Sequence, residues 1–126
     1  MSLRFPTFTV TLLALTLGAF VLAPLTDAAL TNNGADWFWQ GVLDQQQPLA
    51  VWRLVSAHLL HTDWNHLLWN LLALGLLATI VEQRSRMLLL ITLVLGIAFV
   101  DLWFFSASPT RYYCGWSGVL LSLIHI

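Results

Sequence analysis

Residues 64–81 read WNHLLWNLLALGLLATIV, an uncharged run bounded by Asp63 and Glu82. Because a helix needs about 20 mainly apolar residues to cross a bilayer, this run predicts a transmembrane helix. His66 and Asn70 interrupt its apolar character four residues apart, which places them on one face of the helix. Polar groups at membrane depth are costly, so this face is expected to border other helices or a functional site.

Further apolar stretches lie on both sides of this run. Residues 5–26 carry no charge, and their length favours an uncleaved helix over the core of a signal peptide. The chain is therefore predicted to be an all-α membrane protein, a transmembrane helix bundle in one domain of residues 1–126. We expect three spans and the start of a fourth, with helices at about 5–26, 63–83, 87–105 and 116–126 and an outer loop at 27–62.

The composition also indicates a membrane protein. Hydrophobic residues make up 59% of the chain and charged residues 9%, whereas a soluble domain carries about 25% charged residues. So few charges do not cover a water-exposed surface, which excludes a soluble globular domain, an acidic disordered chain and a basic nucleic-acid binder. Cys114 is the only cysteine, which excludes a disulfide-stapled secreted module.

The placement of arginine predicts the orientation. Arg4 precedes the first predicted helix, and Arg84 and Arg86 lie in the tight turn after the second. The long loop between these helices carries aspartates and no basic residue as far as Trp52. Under the positive-inside rule, the N-terminus and the Arg84 turn face the cytoplasm and the long loop faces outside.

Histidines gather around the start of the second predicted helix. For His58, a hydrogen bond to a neighbouring helix is the favoured interpretation. His66 with Asn70 presents two donors on one face, as an oxyanion pocket requires, and an interhelical hydrogen bond stays open as the alternative. Zinc needs three or four converging ligands and haem an opposing axial ligand, but only His61 and His66 are close in sequence. No metal or cofactor is predicted.

Residues 115–118 read GWSG and open the fourth predicted helix. A serine between glycines at a loop-to-helix turn exposes its hydroxyl, and the first N–H groups of the helix are available to bind an anion. A helix N-cap with glycines for close packing is the alternative for the tetrapeptide taken alone. Because this turn and the start of the second helix face the same side, Ser117 is expected beside His66 and Asn70.

Taken in order, these motifs resemble the rhomboid family of intramembrane serine proteases. The resemblance runs from Trp52 to Leu120, over half of the chain. It consists of the Trp-Arg pair Trp52-Arg53, the H-x4-H-x3-N pattern of His61, His66 and Asn70, the acidic-x-Arg element Glu82-Gln83-Arg84, and the G-x-S-G of Gly115 to Gly118. Within the family, Asp63 to His66 and Tyr113 to Gly118 look most like rhombosortases, bacterial relatives linked to C-terminal sorting signals.

The resemblance implies the N-terminal half of a six-helix core and a mechanism. Ser117 would attack a peptide carbonyl in a transmembrane or C-terminal sorting segment of a membrane-anchored protein. The implied oxyanion pocket consists of His66, Asn70, His61 and Gly115, and the implied structural residues are Arg53, Glu82 and Arg84. The resemblance also implies a multi-pass protein of a bacterial inner membrane with a periplasmic active side, and partners limited to its substrate and the lipid bilayer.

The chain departs from the family pattern in the base that would take the serine proton. Rhomboids supply it as a histidine from the sixth core helix. His125 lies eight residues after Ser117 on the same predicted helix, about 12 Å along its axis and beyond hydrogen-bond reach. We therefore expect an inactive fragment, and the alternative function is a non-catalytic membrane protein that binds helices. Residues 121–126 also resemble a translated sequencing-adapter read-through.

Overall fold

The computed structural model describes residues 5–30, 43–45, 51–108 and 112–125. Within these ranges the chain forms five helices and one antiparallel pair of two-residue strands, which confirms the predicted all-α fold class. The helices are α1 (Thr7–Leu30), α2 (Arg53–Leu59), α3 (Trp64–Arg84), α4 (Arg86–Ala107) and α5 (Ser117–Ile124), and the strands are β1 (Leu43–Asp44) and β2 (Tyr112–Tyr113).

Two of these helices are long and apolar enough to cross a membrane. The mean hydropathy reaches 1.4 in α3 and 2.5 in α4, and a shorter apolar helix covers Thr7–Leu22. Large apolar side chains such as Trp69 and Phe99 stay exposed along α3 and α4, as expected for surfaces that contact lipid. The chain is therefore a helical membrane protein.

Two helix boundaries differ from those expected from the sequence. α1 continues to Leu30, past the expected end at residue 26, because Asp27 ends the apolar run without ending the helix. α2 lies inside the segment expected to be the outer loop, and at seven residues it is too short to cross a membrane. Residues 31–42 of that loop, and Arg4 and Arg111, lie outside the described residues.

A single residue connects α3 to α4. Ser85 ends α3 in an extended conformation, and its hydroxyl accepts the Leu88 N–H at 3.2 Å to cap the start of α4. A hydroxyl at this position satisfies one of the N–H groups that a helix start leaves without a partner. The two spans consequently form a tight hairpin against which α5 packs.

The apolar core lies where α3, α4 and α5 meet. Leu74 and Ala78 of α3, Leu89 of α4 and Val119 of α5 are fully buried there. α1 packs along α3, where Leu13 lies against Gly75. The core therefore fixes α5, and with it the GWSG turn at its start, against the spanning hairpin.

The C-terminal end of α3 is joined to the start of α1 by one carboxylate. Glu82 accepts the backbone N–H groups of Phe8 at 3.1 Å and Thr9 at 2.8 Å, and the Thr9 hydroxyl at 2.9 Å. Arg86 Nε lies 3.4 Å from the same carboxylate. A negative charge at a helix N-terminus is favourable because of the helix dipole and the unpaired N–H groups there. Glu82 thus holds α1 against α3.

We expect Glu82→Gln to lower the free energy of unfolding by about 1–2 kcal/mol, because the neutral amide weakens the bonds to the α1 start and offers only one acceptor oxygen. Equilibrium unfolding in detergent measures this change. The matched control is Arg84→Gln, which removes a charge from the same turn at an exposed side chain and is expected to stay within about 0.5 kcal/mol. Equal losses in both variants would contradict the assignment.

Candidate active site

The N-terminal part of α3 carries the histidine and asparagine predicted for the pocket. The Asp63 carboxylate caps this helix by accepting the His66 N–H at 2.9 Å, and the Thr62 hydroxyl donates to the same carboxylate at 2.9 Å. The His66 N–H bond lowers the pKa of Asp63 more than any other interaction, so the capping group stays ionised. The cap fixes the backbone of the turn from which the His66 side chain projects.

His61 orients the amide of Asn70. Its Nδ1 lies 3.2 Å from the Leu59 carbonyl oxygen, which has no hydrogen to give, so Nδ1 carries the proton. Nε2 is then an acceptor, and the Asn70 amide donates to it at 2.8 Å. Burial lowers the pKa of His61 to about 4, which keeps this neutral tautomer at neutral pH. His61 therefore lines the site as an orienting acceptor.

His66 and Asn70 meet at Gly115. A Cβ placed on Gly115 would lie 2.8 Å from His66 Cε1 and Nε2 and 3.2 Å from Asn70 Nδ2. Gly115 also has a φ of +96°, a left-handed conformation that favours glycine. The amide nitrogen of Asn70 carries two hydrogens, of which one is used on His61. The other Asn70 hydrogen and His66 Nε2 thus lie together beside the turn that leads into α5. His66 Nδ1 lies 3.4 Å from the Thr62 hydroxyl, whose hydrogen is given to Asp63.

The GWSG turn is tied to two other elements. The Gly115 N–H donates to the Ala57 carbonyl of α2 at 2.8 Å, and the Trp116 indole donates to the Thr16 hydroxyl of α1 at 2.9 Å. Ser117 follows as the first residue of α5, with an exposed side chain. Its N–H lies among those that a helix start leaves without an intrahelical acceptor. The turn therefore presents both the Ser117 hydroxyl and the Ser117 N–H at the helix start.

The predicted site residues fall into two groups. One group gathers around Gly115, which precedes Ser117 by two residues in the chain, and consists of His61, His66 and Asn70. The other group, Glu82 and Arg84, lies at the opposite end of α3. Arg84 is exposed, and the cation beside Glu82 is Arg86. Arg53 begins α2 with its guanidinium 5.5 Å from the Trp52 ring centroid.

His125 is held away from Ser117. It follows the last residue of α5, and its Nδ1 lies 2.7 Å from the Leu121 carbonyl oxygen. That acceptor lies in the same helix, four residues after Ser117, so the imidazole is bonded to the C-terminal part of α5 and not to the turn at its start. The structure agrees with the expectation that His125 does not reach the serine.

A second buried pair was not identified from the sequence. His58 Nε2 lies 3.2 Å from Asp101 Oδ1, with His58 fully buried and Asp101 7% exposed. His58 thus bonds a neighbouring helix, as predicted, but the partner was missed. The signal was available, because a carboxylate within an apolar span needs a partner.

An apolar groove of about 620 Å³ begins beside the turn. It runs between α4 and α5, and Tyr113, Gly118, Ser122 and His125 line it together with apolar side chains of α4. Phe99, which is 70% exposed, forms part of its wall on α4. The groove is lined by Gly118, the residue after Ser117, and lies on the side of α5 that faces α4.

Comparison with known proteins identifies one family. A family model described as the Rhomboid domain matches residues 48–126, more than half of the chain. No curated protein and no solved structure matches the chain. The matched range contains α2 to α5 and every site residue described above except Thr16.

We expect Gly115→Ala to destabilise the fold and displace His66, because alanine is strained at this φ by about 1–3 kcal/mol and its methyl group overlaps the imidazole. Unfolding in detergent and the imidazole NMR signals of His66 measure the two effects. Gly75→Ala is the matched control: its added methyl meets Leu13 at 3.5 Å, an ordinary contact, and a helix interior favours alanine by about 0.5–1 kcal/mol. Unchanged His66 signals in Gly115→Ala would contradict the contact.

The stability is expected to fall in acid because of His61. Its pKa is about 4 in the folded protein against 6.5 for an ordinary histidine, so between these values the unfolded chain binds a proton that the folded protein does not. The free energy of unfolding therefore decreases as the pH is lowered from 6.5 to 4. His61→Gln should remove this component. Unfolding in detergent across that range tests it, and identical pH slopes in both proteins would refute it.

Proposed function

Because the chain belongs to the rhomboid family of intramembrane serine proteases, we propose that Ser117 is the nucleophile of an intramembrane endopeptidase. The family acts on membrane proteins within the bilayer. Ser117 attacks the carbonyl carbon of the scissile peptide, its proton passes to a base, and the carbonyl oxygen becomes an oxyanion.

The convergence of His66 and Asn70 on Gly115 carries this proposal. The oxyanion formed at Ser117 lies between these two nitrogen atoms and the Ser117 N–H at the start of α5. His61 supports the pocket by fixing the Asn70 amide. Donors already held in place stabilise the developing charge without reorganising, and removing one typically costs about 10²–10³ in rate. His66 serves this role as a donor when Nε2 carries a proton.

The base is the part of the mechanism that these residues do not provide. The chain has four histidines. His58 is bonded to Asp101, His61 to Leu59 and Asn70, and His125 to Leu121. His66 stands beside Gly115 in the pocket itself. We propose that residues 1–126 by themselves do not cleave a peptide, and that activity needs a histidine from another segment.

The finer assignments rest on the motifs and on charge. The stretch from Tyr113 to Gly118 supports a rhombosortase-like enzyme that cleaves C-terminal sorting segments of membrane-anchored proteins. Arginine at the ends of the predicted spans supports a multi-pass protein of a bacterial inner membrane with a cytoplasmic N-terminus and a periplasmic site. Glu82 serves as a structural residue because it binds the start of α1, and Arg53 is proposed to anchor the loop that precedes α3.

The test is labelling of the complete gene product with a fluorophosphonate in detergent. We expect covalent labelling that Ser117→Ala abolishes, and that Asn70→Ala slows by about 10²–10³-fold. Ser122→Ala is the matched control, since its hydroxyl donates to the Val119 carbonyl on the same helix at 2.6 Å. Labelling is expected to be absent when residues 1–126 are expressed alone.

Two outcomes would overturn the proposal. Labelling that persists in Ser117→Ala would place the reactive group elsewhere. A folded complete gene product that remains unlabelled would make a non-catalytic protein that binds membrane helices the better account, because the pocket would then exist without a reactive serine.

A further inference from the structure

The Tyr113 hydroxyl lies at the centre of the GWSG turn. It donates to the Gly115 carbonyl at 3.0 Å and accepts the Gly118 N–H at 3.1 Å. The Ser117 side chain is close enough to offset part of the rise that burial gives the pKa of the phenol. A phenol offers one hydrogen and accepts through its oxygen, so with its proton on Gly115 it accepts from Gly118. One hydroxyl thus bonds the backbone on both sides of the serine.

Gly118 leaves the space that this hydroxyl occupies. A Cβ on Gly118 would lie 2.9 Å from the Tyr113 oxygen and 2.7 Å from a methyl carbon of Val100. The second glycine of the motif is therefore needed for the approach of Tyr113 and not only for helix packing. This steric requirement adds to the hydrogen bond that the Gly118 N–H makes to the same oxygen.

The Tyr113 ring is held by its neighbours. It stands edge-on to His58 at a centroid distance of 5.5 Å and near Phe104 at 6.1 Å. His58 is in turn fixed by Asp101, and Tyr113 pairs with Leu43 across the two strands. Burial raises the pKa of Tyr113, so the phenol keeps the proton that it donates to Gly115. These neighbours therefore hold the Tyr113 ring in place, and with it the hydroxyl at the turn.

We propose that Tyr113 is a positioning residue for the Ser117 nucleophile, and that the buried His58–Asp101 pair serves to hold it in place. The inference rests on the proposed function of Ser117. The bonds of Tyr113 to Gly115 and Gly118 do not involve the serine hydroxyl, so they remain when the serine proton passes to the base. Those two bonds keep the Ser117 N–H directed at the oxyanion pocket during the attack.

The experiment replaces Tyr113 with phenylalanine in the complete gene product, which keeps the ring and removes the hydroxyl. The rate of fluorophosphonate labelling is measured at several probe concentrations to separate the maximal rate from the half-saturating concentration. We expect the maximal rate to fall about tenfold, the size of one or two net hydrogen bonds, with the half-saturating concentration unchanged. Tyr112→Phe removes the hydroxyl of the exposed neighbour on β2 and should keep the wild-type rate.

Amide hydrogen exchange at Gly118 provides a second readout that does not require a reactive serine. Loss of the Tyr113 acceptor is expected to speed this exchange by about tenfold, with the exchange of core amides in α3 unchanged. A maximal labelling rate equal to that of the wild type, or an equal loss in Tyr112→Phe, would overturn the proposal. If the wild-type protein is not labelled, the proposed function fails, and unchanged exchange at Gly118 would then refute the positioning role separately.

Discussion

The site depends on the space left by a missing side chain at Gly115. Its left-handed φ turns the chain into α5, and the absent Cβ lets His66 and Asn70 approach the backbone. Its N–H bonds α2 and its carbonyl receives the Tyr113 hydroxyl. A single residue without a side chain therefore contacts α2, α3 and β2 at once. Any larger residue would separate the pocket nitrogens from the serine turn, and so the geometry of the pocket follows from this position.

Polar pairs connect the elements that the apolar core only brings into contact. Apolar surfaces gain little by associating inside lipid, so directional bonds between helices specify how the helices are arranged. Three of the pairs join residues that are distant in the chain: Glu82 with Thr9, Trp116 with Thr16, and His58 with Asp101. The fourth, Asn70 with His61, joins α3 to the segment just before it. All of them except the Glu82 pair surround the GWSG turn or the pocket beside it, so the same bonds that specify the bundle also hold the site.

Much of the fold was predictable from the sequence, because a span of apolar residues is a local signal. The spacing of His66 and Asn70 likewise indicated a shared face. The contacts of Tyr113 were not predictable, because the sequence of a glycine-rich turn does not indicate where the hydroxyl of a neighbouring tyrosine lies. α2 was missed because seven residues between polar loops carry no clear period. Arg86 was not distinguished from Arg84 as the neighbour of Glu82, since both lie within a turn or so of it.

The bond between Trp116 and Thr16 also has a consequence for biosynthesis. The indole is made a hundred residues after its acceptor, a delay on the order of ten seconds at ordinary translation rates. During that delay the Thr16 hydroxyl has an acceptor of its own, because it donates to the Leu12 carbonyl within α1 at 2.8 Å. The Thr16 hydroxyl proton is therefore paired before the indole is made, and the oxygen still offers a lone pair to the indole. The bond that joins α1 to the GWSG turn thus forms only after Trp116 has left the ribosome, and until then the Thr16 hydroxyl keeps its bond within α1.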